Sequence, residues 1–299
     1  MLKALPRLLL LILALLVIAS AVFLISPPAL ERTYSFLQRD NDPRPPLQIA
    51  RGVYYVGSSD IASYAIDTGQ GLILIDAGYT NTAPQVIANL HALGYSPRDV
   101  RILLNTHAHF DHAAGLAEIK RLSGAQLYAS PLDAVELRRG GAGNFYLRDF
   151  FRYPPVSVDH ELHDGEQVSL GDRVLTAHFT PGHTKGCTSW TFPVTLSDGR
   201  TAQALVICSL STLTFRLVGN QDYPNITSDY RHTYDVLQHL PCDVFLGAHG
   251  RWLDLEGKGA RIARGERDAF YDPQGCRRFI EESRQAFEAE VERQGGTSR

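Results

Sequence analysis

The sequence predicts a globular domain of the α/β or layered α-and-β class, because strand-like and helix-like segments alternate along the chain. The apolar run Leu72–Ile75 is followed by turn residues, as expected for a strand that is buried on both faces. Residues 81–93 carry apolar side chains at helical spacing and precede Gly94, which is a helix stop signal. The length of the chain allows one large domain with a substantial core, or two small domains.

The first 27 residues resemble a targeting segment rather than part of this domain. Lys3 and Arg7 precede an apolar run over residues 8–25, which predicts a signal peptide or an N-terminal membrane anchor. Residues 28–48 are polar and Pro-rich and predict a linker or extended arm, so the domain covers residues 49–299. We therefore expect an exported protein in the periplasm, or on the periplasmic face of the inner membrane if the segment is not cleaved.

The remaining elements follow from apolar periodicity and from turn residues. Residues 140–155 are rich in glycine and aromatic residues without a clear period, which predicts a long ordered loop of the kind that often carries function. The predicted strands are 53–56, 63–66, 71–75, 102–104, 126–129, 174–179, 188–192, 204–208 and 244–246, and the predicted helices are 81–93, 112–122, 228–240 and 274–293.

A cluster of imidazole and carboxylate groups follows the buried strand at 102–104. His107 and His109 lie two residues apart at a strand end, so both side chains can point to the same side. Asp111 and His112 follow where the chain turns into a helix. Imidazole and carboxylate are ligands that zinc prefers, and a catalytic site needs about three protein ligands and an open position. The motif therefore predicts a catalytic metal site.

Two further histidines follow apolar strands and lie beside glycines, where small neighbours allow close packing. His183 and His249 are therefore candidate ligands, and the six candidates are enough for two metal ions. Asp76 closes a buried strand and is either a hydrogen-bond acceptor for a ligand histidine or a turn residue before Gly78. The other histidines lack this context, and they are His91, His160, His163, His178, His232 and His239.

The four cysteines and the net charge limit the class of protein further. An oxidising compartment permits disulfides, but the sequence alone leaves three pairings open, and Cys187 and Cys208 are typical of buried small hydrophobic residues. The net charge of −3 and the lack of a long basic run argue against a nucleic-acid partner. We expect a small-molecule substrate, no membrane contact beyond the N-terminal segment, and a monomer.

The motif His107-Ala-His109-Phe-Asp111-His112, the pair Gly182-His183 and the final His249 resemble the metallo-β-lactamase superfamily in type and order. The resemblance covers the chain after residue 48 and implies an αββα sandwich with the metals at one edge. It also implies two zinc ions, one held by His107, His109 and His183 and the other by Asp111, His112 and His249, with Asp111 orienting the attacking hydroxide.

The residues at the end of the predicted strand 204–208 make the resemblance more specific. Most non-lactamase hydrolases of the superfamily carry a metal-bridging Asp there, whereas this chain has Ser209 and is similar to class B β-lactamases of subclass 3. That likeness implies a Cys242–Cys276 disulfide and contacts from Ser209 and Ser211 to the substrate carboxylate. It also implies that Phe145 and Tyr146 cover an apolar substrate group. Cys208 is the alternative ligand from this strand, although neighbouring strand residues face opposite ways.

The predicted function is therefore opening of the β-lactam ring of penicillins, cephalosporins or carbapenems by a metal-activated hydroxide. A lactone or thioester hydrolase of the same superfamily is the main alternative, since the fold supports several substrates. A non-catalytic metal-binding module is the second alternative, and the intact set of six ligands argues against it.

Overall fold

The computed structural model describes residues 41–297 of the chain. The targeting segment at 1–27 and most of the predicted arm at 28–48 lie outside the described residues. The first strand begins at Leu47, so the last two residues that we assigned to the arm belong to the sheet. Within residues 41–297, no helix is both long enough and apolar enough to cross a membrane.

The first half of the domain forms a seven-stranded sheet in which the strands follow chain order. Its strands pair antiparallel up to β4 and parallel from β4 onward. Parallel strands all end at the same edge, so the loops after them meet there. The strands are β1 (Leu47–Ala50), β2 (Val53–Tyr55), β3 (Tyr64–Asp67), β4 (Leu72–Ile75), β5 (Val100–Leu104), β6 (Gln126–Ala129) and β7 (His160–Glu161).

The second half forms a five-stranded sheet with the order β12-β11-β10-β9-β8. All its neighbours are antiparallel except β11 and β12, which are parallel. Its strands are β8 (Gln167–Leu170), β9 (Arg173–Phe179), β10 (Thr188–Thr195), β11 (Thr201–Ile207) and β12 (Val244–Gly247).

The two sheets pack face to face with helices outside, which confirms the predicted layered sandwich. Because strand residues alternate in direction, Ile73 and Ile75 join a core shared with Trp190 of the second sheet. Leu72 and Leu74 point the other way, into a separate core under the first helices. The helices are α1 (Ala83–Ala92), α2 (Phe110–Ala113), α3 (Leu116–Ser123), α4 (Pro131–Arg138), α5 (Ile226–Leu237), α6 (Leu255–Ala263) and α7 (Pro273–Arg293).

The predicted helix at 112–122 is wrong as a single helix, because it divides into α2 and α3 at Gly115. The backbone N–H of Gly115 donates to the carbonyl oxygen of Gly78 at 3.0 Å instead of continuing α2. A Cβ atom at Gly115 would lie 2.2 Å from the carbonyl oxygen of Ala77. Only glycine therefore allows this close approach between the helix and the turn after β4.

The structure forms two disulfides. The bridge between Cys242 and Cys276 is present, as the resemblance implied, and joins the chain just before β12 to α7. Cys187 and Cys208 are buried, but they are paired with each other rather than being free hydrophobic residues, which corrects our prediction. Cys187 precedes β10 and Cys208 follows β11, so this bridge joins two neighbouring strands beside the loop after β5.

Candidate metal centre

The candidate ligands lie at the edge where the parallel strands of the first sheet end. His107 and His109 follow β5, and Asp111 and His112 lie in the first turn of α2. His183 lies in the turn between β9 and β10, and His249 follows β12. The first sheet and the second sheet thus both contribute side chains to this edge.

Three of the histidines form one compact group. His107, His109 and His183 each place a ring nitrogen within 4.8 Å of a ring nitrogen of the other two. All three residues are buried. The ring centroids of His109 and His183 are 4.6 Å apart. Nδ1 of His183 donates to the carbonyl oxygen of Ser211 at 2.7 Å, which leaves Nε2 of His183 as an acceptor. Three neutral imidazoles in this arrangement suit one zinc ion.

The other three residues form a second group beside the first. Oδ2 of Asp111 lies 3.2 Å from Nε2 of His112 and 3.9 Å from Nε2 of His249. The His112 and His249 ring centroids are 5.1 Å apart. The carboxylate therefore lies between the two imidazoles, and the structure brings all six predicted ligands together.

Burial and charge favour the metal-binding protonation state of most of these groups, although Asp111 raises the pKa of His112 against the effect of burial. Burial lowers the pKa of His109 to about 4 and holds the pKa of His107 and His183 well below the usual range. Burial opposes ionisation of Asp111, but His112 and His249 lower its pKa overall. Neutral imidazole and ionised carboxylate are the forms that bind metal ions.

Unpartnered nitrogen atoms provide a direct test of whether a metal fits. Nε2 of His109 and both ring nitrogens of His112 are buried without a hydrogen-bond partner among the described residues. A buried polar atom without a partner is costly, so such atoms call for an explanation. Nε2 of His112 faces Asp111 and His249, and a metal ion bound by these three residues would satisfy it.

Asp76 fits the interpretation as a turn residue, and among the described residues no ligand histidine donates a hydrogen bond to it. It adopts a φ of 58° where β4 turns, and its carboxylate accepts hydrogen bonds from Asn105 and from the backbone and hydroxyl of Thr106. It also lies 3.7 Å from Nδ1 of His112. Burial raises the pKa of Asp76 to about 6. Asp76 therefore supports the loop that carries His107 and places a carboxyl group behind His112.

Two carboxylates that support the site were missed by our reading of the sequence. Asp60 accepts a hydrogen bond from Nδ1 of His249 at 2.7 Å. Asp133, at the start of α4, accepts from the backbone N–H groups of Ala108 and Gly186. It thereby joins the loop between His107 and His109 to the chain just after His183. No local motif marks either residue in the sequence.

A cavity of about 360 Å³ opens over the metal centre. Ser209, Ser211 and Tyr146 contribute to its wall, and their predicted contacts with a substrate stay a prediction. Phe145 does not line it, because that side chain is buried and packs against Phe215 and Tyr223. The prediction for Phe145 is therefore wrong. The apolar wall is instead made by Leu147, Phe151, Leu213 and Trp252.

The position of Cys208 excludes it as a free ligand. Its sulfur is bonded to Cys187, and a nitrogen of His107 lies within 4.8 Å of both sulfur atoms. Ser209, the next residue, faces the cavity. Cys208 thus lies close to His107 but is held in the disulfide, whereas Ser209 lines the cavity.

Comparison with known proteins supports a single family. Residues 57–195 match the family model described as the metallo-β-lactamase superfamily. The fold is similar to the FEZ-1 metallo-β-lactamase from Legionella gormanii, with a TM-score of 0.83 and 41% identity over 85% of this chain and 98% of that one. It is also similar to BJP-1, a subclass B3 metallo-β-lactamase of Bradyrhizobium japonicum, with a TM-score of 0.81 and 35% identity over 87% of this chain and 98% of that one.

Curated relatives share a shorter segment. A hydroxyacylglutathione hydrolase of Maricaulis maris is 31% identical over 121 residues, which is 40% of this chain and 40% of that protein. The chain thus spans less than half of the length of this relative, whereas it spans nearly all of the two solved structures.

Proposed function

The chain belongs to the metallo-β-lactamase superfamily, and on this basis we propose that it is a zinc-dependent hydrolase that opens the β-lactam ring of antibiotics. The observation that carries the proposal is the convergence of six metal-binding side chains, four of them buried and two partly buried, in two adjacent groups below an open cavity. The similarity to β-lactamases over nearly their whole length supports the substrate class.

The residues divide into two ligand sets. His107, His109 and His183 would hold the first zinc ion, and Asp111, His112 and His249 would hold the second. Zinc, when bound, lowers the pKa of water to about 7 and polarises carbonyl groups. No covalent intermediate with the protein is required, so no nucleophilic serine is needed.

The protein groups around this centre have separate roles. His112 and His249 lower the pKa of Asp111, whose carboxylate lies between them and would orient the attacking water and accept a hydrogen bond from it. Ser211 would donate a hydrogen bond to the substrate carboxylate from the cavity wall. Ser209 lies deeper, where its hydroxyl accepts from the backbone N–H of Ser211 at 3.3 Å and so orients that neighbour.

The similarity to a hydroxyacylglutathione hydrolase leaves a second candidate activity, hydrolysis of a thioester or lactone. The residues that follow β11 favour a β-lactam substrate over a thioester or lactone. The sequence from Ile207 to Ser211 has no carboxylate where the resemblance expects a bridging Asp in most non-lactamase hydrolases. Ser209 faces the cavity at this point.

Hydrolysis by the purified full-length chain tests the proposal. We expect turnover of a chromogenic cephalosporin that is abolished by a chelator and restored by zinc, with little turnover of a glutathione thioester or a homoserine lactone. His183→Ala should lower turnover by at least about 100-fold, whereas His178→Ala is a matched control because His178 lies outside the cavity. Thioester or lactone cleavage without β-lactam cleavage would contradict the substrate assignment.

We also propose that residues 1–27 direct export and that residues 49–299 act as one monomeric domain in the periplasm. Two disulfides in the described structure support an oxidising compartment. N-terminal sequencing of the protein recovered from a periplasmic fraction would distinguish a cleaved signal from a retained anchor.

A further inference from the structure

A buried carboxylate lies directly behind His249. Asp60 is 3% exposed and lies in the loop between β2 and β3. Its Oδ2 accepts from Nδ1 of His249 at 2.7 Å and from Nη1 of Arg251 at 2.5 Å. Its Oδ1 accepts from the backbone N–H of Arg251 at 2.9 Å. Both carboxylate oxygens are therefore engaged by the chain segment that carries His249.

The backbone of two loops fixes this arrangement. The N–H of Gly250 donates to the carbonyl oxygen of Asp60 at 2.6 Å, and Ile61 forms an isolated antiparallel bridge with His249. A Cβ at residue 250 would lie 3.1 Å from the carbonyl oxygen of Ser59, so glycine favours the close packing of these two loops. The distance between Asp60 and His249 is thus set by the main chain and not only by side-chain contacts.

The contact with Asp60 determines which nitrogen of His249 faces the metal. When Nδ1 carries the proton and donates to a carboxylate, Nε2 holds the lone pair. Nε2 of His249 is the atom that lies 3.9 Å from Asp111, on the side of the second metal position. A histidine oriented in this way needs no rotation or tautomer change to bind an ion.

The positive charge of Arg251 stabilises the buried carboxylate of Asp60. Asp60 and Asp111 lie on opposite sides of the His249 ring, so the site holds two acidic groups close together. The guanidinium of Arg251 is about half exposed, lines the cavity and reaches back to Asp60. It is the one Lys or Arg side chain among the described residues that line this cavity.

We infer that Asp60 and Arg251 are positioning residues for His249 and that they set the affinity of the second zinc position. The inference rests on the two-metal site of the proposed function but not on its substrate. Carboxylates behind ligand histidines commonly contribute about 10- to 100-fold to metal affinity. Asp60 is the main contributor, because the backbone N–H of Arg251 continues to hold the carboxylate when the arginine side chain is removed.

Zinc titration of the full-length chain against a chromophoric chelator tests this inference without any substrate. For Asp60→Asn we expect the second zinc to bind about 10- to 100-fold more weakly while the first zinc binds as in the unsubstituted chain. Arg251→Ala should weaken the second zinc less. Asp159→Asn is the matched control, since Asp159 also joins a cation and a backbone N–H but lies near Lys120, outside the cavity.

A second measurement reports the orientation of His249 directly. In the metal-free protein, ¹⁵N NMR of the imidazoles should show His249 protonated at Nδ1, and Asp60→Asn should reduce that preference. An unchanged second affinity in Asp60→Asn, or equal weakening of both zinc ions, would overturn the inference. If the second zinc weakens as expected but the chain cleaves no β-lactam, the inference stands and the proposed substrate fails.

Discussion

At the scale of single residues, His178 shows how a histidine outside the metal centre affects stability. Its Nε2 contacts the hydroxyl of Thr191 at 2.7 Å, and burial lowers its pKa from the ordinary value of 6.5. The unfolded chain therefore takes up this proton more readily than the folded chain. It follows that stability from a neutral His178 is fully present above about pH 6.5 and is lost as the pH falls from there through the lower pKa of the folded state.

We therefore expect the free energy of unfolding to decrease less between about pH 7.5 and about pH 5 in His178→Gln than in the unsubstituted chain. Urea unfolding of the zinc-loaded proteins at both pH values measures this difference. His232→Gln serves as the control, because His232 is exposed on α5. Parallel pH curves for His178→Gln and the unsubstituted chain would contradict the expectation.

The residue scale also shows where sequence reasoning succeeds and fails. His107, His109, Asp111 and His112 were identifiable because their types and spacing already imply a metal. Asp60 carries no such signal, since its partner His249 is 189 positions away and the contact exists only after two loops pair. Metal ligands are therefore easier to identify from a sequence than the residues that orient those ligands.

At the scale of elements, α4 illustrates a helix that the apolar pattern could not reveal. Its Leu132 and Val135 are 56% and 42% exposed, whereas Asp133 is buried. The usual rule of apolar side chains inside is thus reversed on part of this helix. By contrast, β4 and α1 obey the rule and were predicted within two residues of their observed bounds. The missed α4 is the helix that supplies a carboxylate to the metal-site loop.

Removal of that carboxylate should loosen two elements together. Asp133→Ala leaves the backbone N–H groups of Ala108 and Gly186 without their acceptor, and each buried donor left unsatisfied costs about 1–3 kcal/mol. We expect a loss of about 2–5 kcal/mol in the free energy of unfolding and weaker binding of the first zinc. Chemical denaturation and zinc titration measure these effects.

Glu118→Ala is a suitable control for Asp133→Ala. Glu118 lies on the surface of α3, where it pairs with Arg121. Exposed ion pairs of this kind contribute little to stability. Similar losses in the two variants would show that Asp133 has no special role in holding the loop.

At the scale of the whole molecule, the metal centre connects the two sheets. His107 and His109 come from the end of β5 in the first sheet, while His183 and His249 follow strands of the second sheet. A ligand that binds only the folded state stabilises it by RT ln(1 + [L]/Kd), which is about 2.7 kcal/mol at a hundredfold excess over Kd. Bound zinc should therefore stabilise the fold as a whole.

We expect a chelator to lower the melting temperature of the protein by several degrees and added zinc to restore it. Differential scanning calorimetry measures the shift, and metal analysis confirms removal. The same treatment should have a smaller effect on His249→Ala, which can hold only the first ion well. A melting temperature that stays constant after complete zinc removal would argue against this linkage.

The whole fold was predictable because the ligand order along the chain resembles one superfamily, and that likeness implies the sandwich directly. Without this resemblance, apolar periodicity and turn residues predicted only a layered α and β fold class. They left open the split between α2 and α3, which depends on the contact of Gly115 with the turn after β4. They also left open the pairing of Cys187 with Cys208. Alternation of side chains within one strand does not show which residue of another strand lies beside it.

Both disulfides close loops in the C-terminal half of the sequence, with separations of 21 and 34 residues. The denatured but oxidised chain is therefore a polymer with an unconstrained N-terminal portion and two covalent rings further along. Each ring removes roughly 3–4 kcal/mol of chain entropy from the denatured ensemble in the loop-closure model. In the oxidised denatured chain, part of the second sheet is therefore already restricted. The first sheet and the loop and helix after β5, which hold four of the six ligands, are not restricted by any disulfide.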